Sequence, residues 1–184
     1  MSNKRYAMVL DTRKCIDCKA CTVACKAENH VPLGRENHRN WVMEEALRGR
    51  YPNLGQEFTP GQCMHCANTP CKRVCPTKAT GVNADGIVTV ENKKCIGCKY
   101  CMTACPYNAR YYNEEIGAVD KCTFCEHRIL TGREPACVET CPTRVRVFGD
   151  LNDPNSEVSL LLAKHPQRVM KPEMGTKPYL FYLI

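Results

Sequence analysis

The sequence predicts an α+β fold poor in regular secondary structure and held together by cysteine more than by a large apolar core. Three observations predict it. Of 184 residues 16 are cysteine, against 4 phenylalanines and 1 tryptophan, a share of about 9 per cent that in a short chain signals a disulfide or metal scaffold. All sixteen fall into four groups of four, with none left over. Between the groups lie only short apolar or β-branched stretches such as "YAMVL" and "GIVTV".

In chain order, "RYAMVL" reads as a strand. The first cysteine group follows, Cys15, Cys18, Cys21 and Cys25, spaced C-x2-C-x2-C-x3-C. Residues 26–62 are a linker in which "WVMEEALRG" predicts a short amphipathic helix, stopped by Gly49 and then by Tyr51-Pro52; Trp41 reads as a packing residue. The second group, Cys63, Cys66, Cys71 and Cys75, is spaced C-x2-C-x4-C-x3-C. "GIVTV", bounded by "NADG", predicts a strand entered from a tight turn. The third group, Cys95, Cys98, Cys101 and Cys105, repeats the spacing of the first, and the fourth, Cys122, Cys125, Cys137 and Cys141, reads C-x2-C-x11-C-x3-C. "VRVFG" predicts a strand able to lie beside "RYAMVL". "NSEVSLLLAKH" predicts a helix capped by Asn155 or Ser156, and the tail ending in "YLFYLI" should dock on the body or on a partner.

The tight run is the spacing of bacterial ferredoxins, in which three close thiols wrap one cubane and the fourth ligates the neighbouring cluster. Zinc is the rival reading, since C-x2-C pairs also make zinc knuckles. Zinc sites rarely add a third thiol two residues on, or end three groups of four in Cys-Pro. A disulfide framework fits less well, because C-x2-C closes a strained ring and the N-terminus carries no apolar core of secretory length. Proline after the last cysteine (Pro76, Pro106, Pro142) fixes φ, offers no N–H and turns the chain away; the first group ends instead in Cys25-Lys26.

Ligand exchange requires the groups to pair. The second and third are close in sequence, which leaves the first with the fourth. The prediction is two bacterial-ferredoxin-like 4Fe-4S modules, one nested inside the other, with sixteen thiolates on four 4Fe-4S clusters. The outer module takes 1–30 plus 113–149 and the inner one 61–112, with a connecting insertion at 31–60 and a C-terminal docking extension at 150–184.

Lys and Arg exceed Asp and Glu by 7, but sixteen thiolates on four cores of charge about +2 bring the balance to about −1. The basic surplus then neutralises thiolate, and nucleic-acid binding loses its main support. Lys14, Lys19, Lys94, Lys99 and Lys121 flank ligands; they either soften cluster charge or are ordinary solvated lysines. The long gap of the fourth group reads as a surface loop, a partner contact or a passive connector. No histidine, His65 included, stands in a nucleophile-base pair or carboxylate array, and no glycine loop or dinucleotide fingerprint appears. No apolar run approaches the roughly 20 residues of a membrane span. The chain therefore reads as an electron conductor with no catalytic residue and no organic cofactor of its own.

Four such groups in this order, together with "YPNLGQEFTPGQCMHC", "CTFCEHRILTGREPACVETCPT", "VFGDLNDP" and "KPEMGTKPYLFYL", resemble the iron–sulfur subunits of molybdopterin oxidoreductases of the dimethyl sulfoxide reductase superfamily, of the polysulfide and thiosulfate reductase type. The resemblance implies four ligand sets: Cys141 with Cys15, Cys18 and Cys21; Cys25 with Cys122, Cys125 and Cys137; Cys75 with Cys95, Cys98 and Cys101; and Cys105 with Cys63, Cys66 and Cys71. It implies two partners, a molybdopterin catalytic subunit and an integral membrane quinone-linked subunit. It also implies a place peripheral to the cytoplasmic membrane, on its outer face through export with the catalytic subunit, the cytoplasmic face being the alternative. A freestanding soluble polyferredoxin is the competing role.

Overall fold

The computed structural model describes residues 4–184; Met1, Ser2 and Asn3, part of the stretch read for targeting signals, lie outside the described residues. β1 (Tyr6–Leu10) divides two cores. Successive side chains of a strand face opposite ways, so Met8 and Leu10 join a main core with Cys21, Cys63, Cys122 and Cys137, while Ala7 and Val9 join a second. Next come α1 (Ala20–Glu28), β2 (Asn40–Glu44), β3 (Arg48–Arg50), β4 (Asn53–Gly55) and β5 (Phe58–Gln62).

Residues 41–49, predicted as a helix, form β2 and the start of β3 instead. β2 pairs antiparallel with β5, with Trp41 opposite Gly61. A Cβ on Gly61 would lie 2.5 Å from the indole, so the missing side chain makes room for Trp41 to lie across the partner strand. This cross-strand burial outweighs a helical period only nine residues long, too short to stand alone.

α2 (Pro70–Arg73) is followed by β6 (Thr80–Val82) and β7 (Val88–Val90), a hairpin whose turn is set by Asn83: its Oδ1 accepts from the N–H groups of Asp85 and Ile87 at 3.0 and 2.9 Å. α3 (Tyr100–Thr103) and the hairpin of β8 (Tyr111–Asn113) with β9 (Ala118–Asp120) follow. α4 (Glu126–Ile129), α5 (Ala136–Glu139), β10 (Arg146–Asp150), α6 (Glu157–Lys164), β11 (Gln167–Arg168) and β12 (Leu180–Leu183) complete the chain. β10, β1, β12 and β11 make one sheet in that order, β1 antiparallel to β10 and parallel to β12. The strands flanking the first and fourth groups thus lie side by side, as their sequences predict. Ser156 caps α6, its Oγ accepting from Ser159 N at 3.2 Å. β12 is mostly buried, so the final strand docks on the body.

Each cysteine group places its last two members on or beside a short helix. α2, α3 and α5 are four residues long and stop before Cys-Pro, as expected where proline follows. α1, which has Lys26 in place of that proline, runs on for nine residues to Glu28. That added turn meets the added residues of the fourth group. Glu28 accepts from Arg128 Nη1 at 2.6 Å and pairs with His127 at 2.7 Å. Arg128 also pairs with Glu139 and donates to Glu134 O at 2.8 Å. The segment 126–136 is thus a surface loop anchored at its start: it opens with a helical turn whose Arg128 is buried, while His127 and the stretch 130–134 are exposed.

Candidate metal centres

The four groups share a backbone device. The residue before the second cysteine, Asp17, His65, Gly97 or Phe124, has φ of 55°, 44°, 67° and 55° respectively. Only Gly97 adopts the left-handed region freely; for the others it costs about 1 kcal/mol or more. The same turn curls successive N–H groups inward, as in anion-binding nests. Phe124 N accordingly points at Cys122 Sγ (3.4 Å), and beyond the fourth group Val145 N points at Cys141 Sγ (3.3 Å).

The thiols gather across groups. Cys15, Cys18, Cys21 and Cys141 line one recess of about 320 Å³ counted out to its mouth, with Ile16 and Arg146 beside them. Cys25, Cys122, Cys125 and Cys137 line a second, of about 260 Å³, and Cys75, Cys95, Cys98 and Cys101 a third, of about 320 Å³. Cys63 and Cys66 lie together in the main core with Cys105 packed against it, and Cys71 joins them in raising Cys66, which makes a fourth set. Every sequence-predicted cysteine is thus brought into a quartet, and each quartet draws its fourth thiol from another group. Most members are buried; Cys18 and Cys98 are exposed.

Burial, reinforced by neighbouring thiols, pushes Cys25 and Cys66 up to about 12. It pushes Cys71 and Cys137 up to about 11 against the pull of Arg110 and Arg146. Cys75 and Cys141 go the other way: burial raises them, but N–H donors from Thr80 and Val145 and the hydroxyls of Thr77 and Thr143 outweigh it. Unligated, most of these thiols hold their protons at neutral pH; a metal core displaces those protons outright.

The donor set fits polynuclear clusters. All four quartets consist of thiols alone, without histidine or carboxylate, the ligand type that holds iron–sulfur clusters. Buried cations also face the quartets. Arg110 donates through Nη2 to Cys71 Sγ at 2.9 Å and through Nη1 to Thr80 Oγ1 at 3.2 Å. Arg146 donates through Nη1 to Gln62 Oε1 at 2.7 Å, and its Nη2 has no hydrogen-bond partner of good geometry although the Cys21 thiol lies beside it. Lys121, alone of the five lysines read as flanking ligands, is fully buried, with Nζ on Val88 O and on Cys122 O at 2.7 Å. Lys14, Lys19 and Lys94 pair instead with Asp11, Asp17 and Glu91, and Lys99 lies over the Tyr112 ring.

Asn29 Nδ2 stands 3.6 Å from both Cys25 Sγ and Cys125 Sγ and is held by Arg39, which also pairs with Asp120. His65 is neutral: burial, Lys121 and Arg110 hold it well below its ordinary range, and Nδ1 accepts from Val88 N at 3.1 Å. Arg110, Arg146, Arg39 and Asn29 are the site residues that sequence reading misses. A signal for the first two is present, an arginine five residues after the last cysteine in "CPYNAR" and "CPTRVR".

Comparison with known proteins agrees with this chemistry. Two families, each described as a 4Fe-4S dicluster domain, match residues 54–151 and 14–79. Two dicluster domains imply four 4Fe-4S clusters. The chain is 47% identical to the B polypeptide of tetrathionate reductase from Salmonella typhimurium, over 97% of this chain and 72% of the relative. It is 45% identical to the B polypeptide of polysulfide reductase from Wolinella succinogenes, over 97% and 93%. The B polypeptide of selenate reductase from Mesobacillus selenatarsenatis is 39% identical over 97% and 72%.

Proposed function

Because the chain belongs to the 4Fe-4S dicluster family, as an iron–sulfur subunit of the kind found in reductase complexes, we propose that it relays electrons between a quinol-linked membrane subunit and a molybdopterin catalytic subunit. The sixteen cysteines hold the four clusters in the crosswise sets in which the thiols gather. In this reading the inner module, 61–112, is enclosed by an outer one, 1–30 plus 113–149, which the packing of α1 on α5 and of β1 on β10 supports; 31–60 connects them and 150–184 docks. The family matches, by contrast, follow consecutive groups along the chain.

One observation carries the role: the quartets form a sequence of neighbours. Cys71 of the Cys63 set packs in one cluster with Cys101 and Cys95, with Arg110 on Cys71, while Cys63, Cys122, Cys137 and Cys21 share the main core, Arg146 facing the last two. The two end quartets contain the exposed thiols Cys18 and Cys98, each two residues from an exposed isoleucine, Ile16 or Ile96. Electrons pass in at one end and out at the other. The clusters supply one-electron storage, and the chain's own residues bury them, offset their charge and expose the two ends.

The relatives' names share a reductase role but differ in substrate, which supports assigning substrate choice to another polypeptide; polysulfide or thiosulfate is the type proposed here. Among the described residues no helix is long and apolar enough to cross a membrane, and the proposed site is peripheral, on the outer face of the cytoplasmic membrane. The exposed tip of 126–136 is a proposed docking surface. The test is quinol-driven substrate reduction in membranes, with and without this chain, alongside its copurification with larger subunits. Loss of quinol-driven turnover without the chain supports the reading. A chain that purifies alone and exchanges electrons freely with many proteins is a polyferredoxin and overturns it.

A further inference from the structure

Arg110 and Arg146 occupy equivalent places, each five residues beyond the last cysteine of its group and each buried, at 6% and 2% exposure. At the same offset the first and second groups have His30 and Thr80. Arg110 faces Cys71 and Cys101; Arg146 faces Cys21 and Cys137. All four are the third cysteine of their group. Each guanidinium therefore stands between two quartets and faces the corresponding thiol of both.

Among the described residues neither arginine forms an ion pair with a carboxylate, although Arg13, Arg39, Arg48, Arg128, Arg133 and Arg144 all do. A buried guanidinium without an anion is strongly unfavourable. The unpartnered Nη2 of Arg146 marks where that anion belongs. Among the described residues the acidic groups that these positions face are thiols, joined at Arg146 by the Tyr182 phenol, so the anion that would pair them is thiolate and the core it holds.

We propose that Arg110 and Arg146 are charge bridges: each holds one fixed positive charge between the two clusters of a pair, and raises the reduction potentials of both together. The inference rests on the crosswise ligand sets above. A positive charge beside a cluster favours its reduced, more negative state, and net charge and hydrogen bonds to sulfur are established controls of cluster potential. An arginine shared between two clusters shifts both potentials in the same direction and leaves the driving force between the two nearly unchanged.

The test is redox potentiometry followed by electron paramagnetic resonance on anaerobically purified holoprotein carrying Arg110→Met, Arg110→Lys, Arg146→Met or Arg146→Lys, with iron measured in each. Arg110→Met is expected to shift the reduction equilibrium of two clusters by about tenfold, a fall of about 59 mV for a one-electron couple, and to leave the other two at wild-type potential. Arg146→Met should do the converse, and lysine should restore most of each shift. A shift of one cluster alone, of all four alike, or of none overturns the proposal. Should a methionine variant fail to load iron, Arg110→Gln or Arg146→Gln takes its place: a fall of two midpoints together supports the bridge, and a shift of one alone, of all four or of none refutes it. Signals are assigned independently with Cys25→Ser and Cys75→Ser, which remove the crossed ligands of the Cys122 and Cys95 sets. If these show ligand sets other than the crosswise ones, the fault lies in the pairing and not in the arginines.

Discussion

His65 lies flat against Phe124, ring centroids 3.7 Å apart and planes 17° from parallel. Each is the residue before the second cysteine of its group, and both are fully buried, so the second and fourth groups meet ring to ring. Phe124 also packs on Phe148 of β10 at 5.1 Å. Phe124→Ala removes the centre of this contact and is expected to cost about 3–5 kcal/mol, measured by denaturant unfolding of the holoprotein. Phe124→Leu should cost much less. Equal and small effects would show that the stack contributes little.

Cys25 sits on the helix of the first group but lines the recess of the fourth. Cys25→Ala should damage the cluster held by Cys122, Cys125 and Cys137, leaving a three-iron species or an exchangeable position there. Spectra in which the cluster of Cys15, Cys18 and Cys21 alone disappears would contradict the pairing.

Glu28 and Glu139 are held below their ordinary carboxyl value of 4.5, Glu28 by His127 and Arg128 and Glu139 by Arg133 and Arg128. Their folded values being depressed, the contribution is fully present above pH 4.5 and is lost as pH falls through the lower folded values. Iron release should therefore be slower in wild type than in Arg128→Leu at neutral pH. That advantage should shrink below about pH 4.5. An advantage independent of pH would mean that Arg128 acts by packing alone.

Gly61→Val forces side-chain atoms into the Trp41 ring, where even a Cβ would stand 2.5 Å away. Overpacking of this kind costs about 1–3 kcal/mol. Trp41 is the sole tryptophan, so its emission reports the displacement directly; an unchanged spectrum and stability would show that the strand pair adapts.

Much of this arrangement is legible in the sequence because its signals are local. Cysteine spacing, the turn before "GIVTV", the Ser156 cap and the strands "YAMVL" and "VRVFG" each sit within a few residues. What escapes is long range. β2 depends on Gly61, twenty residues from Trp41 in sequence, and a nine-residue helical pattern carries no trace of that partner. Glu28 and Arg128, a hundred residues apart, join two separate departures from the repeat, the missing proline after Cys25 and the long gap after Cys125, which look unrelated when read along the chain. Arg110 and Arg146 resemble surface basic residues until burial shows that they face thiols.

If one short chain holds four electron-carrying clusters in a connected sequence, its iron, sulfide and electron capacity must agree. Anaerobic reductive titration of the purified holoprotein, with iron and acid-labile sulfide assayed on the same sample, tests it most directly. The expected result is about 16 iron atoms and as much sulfide per chain, taking up about four electrons, one for each 4Fe-4S cluster. Stoichiometric zinc without labile sulfide, and no electron uptake, would contradict it.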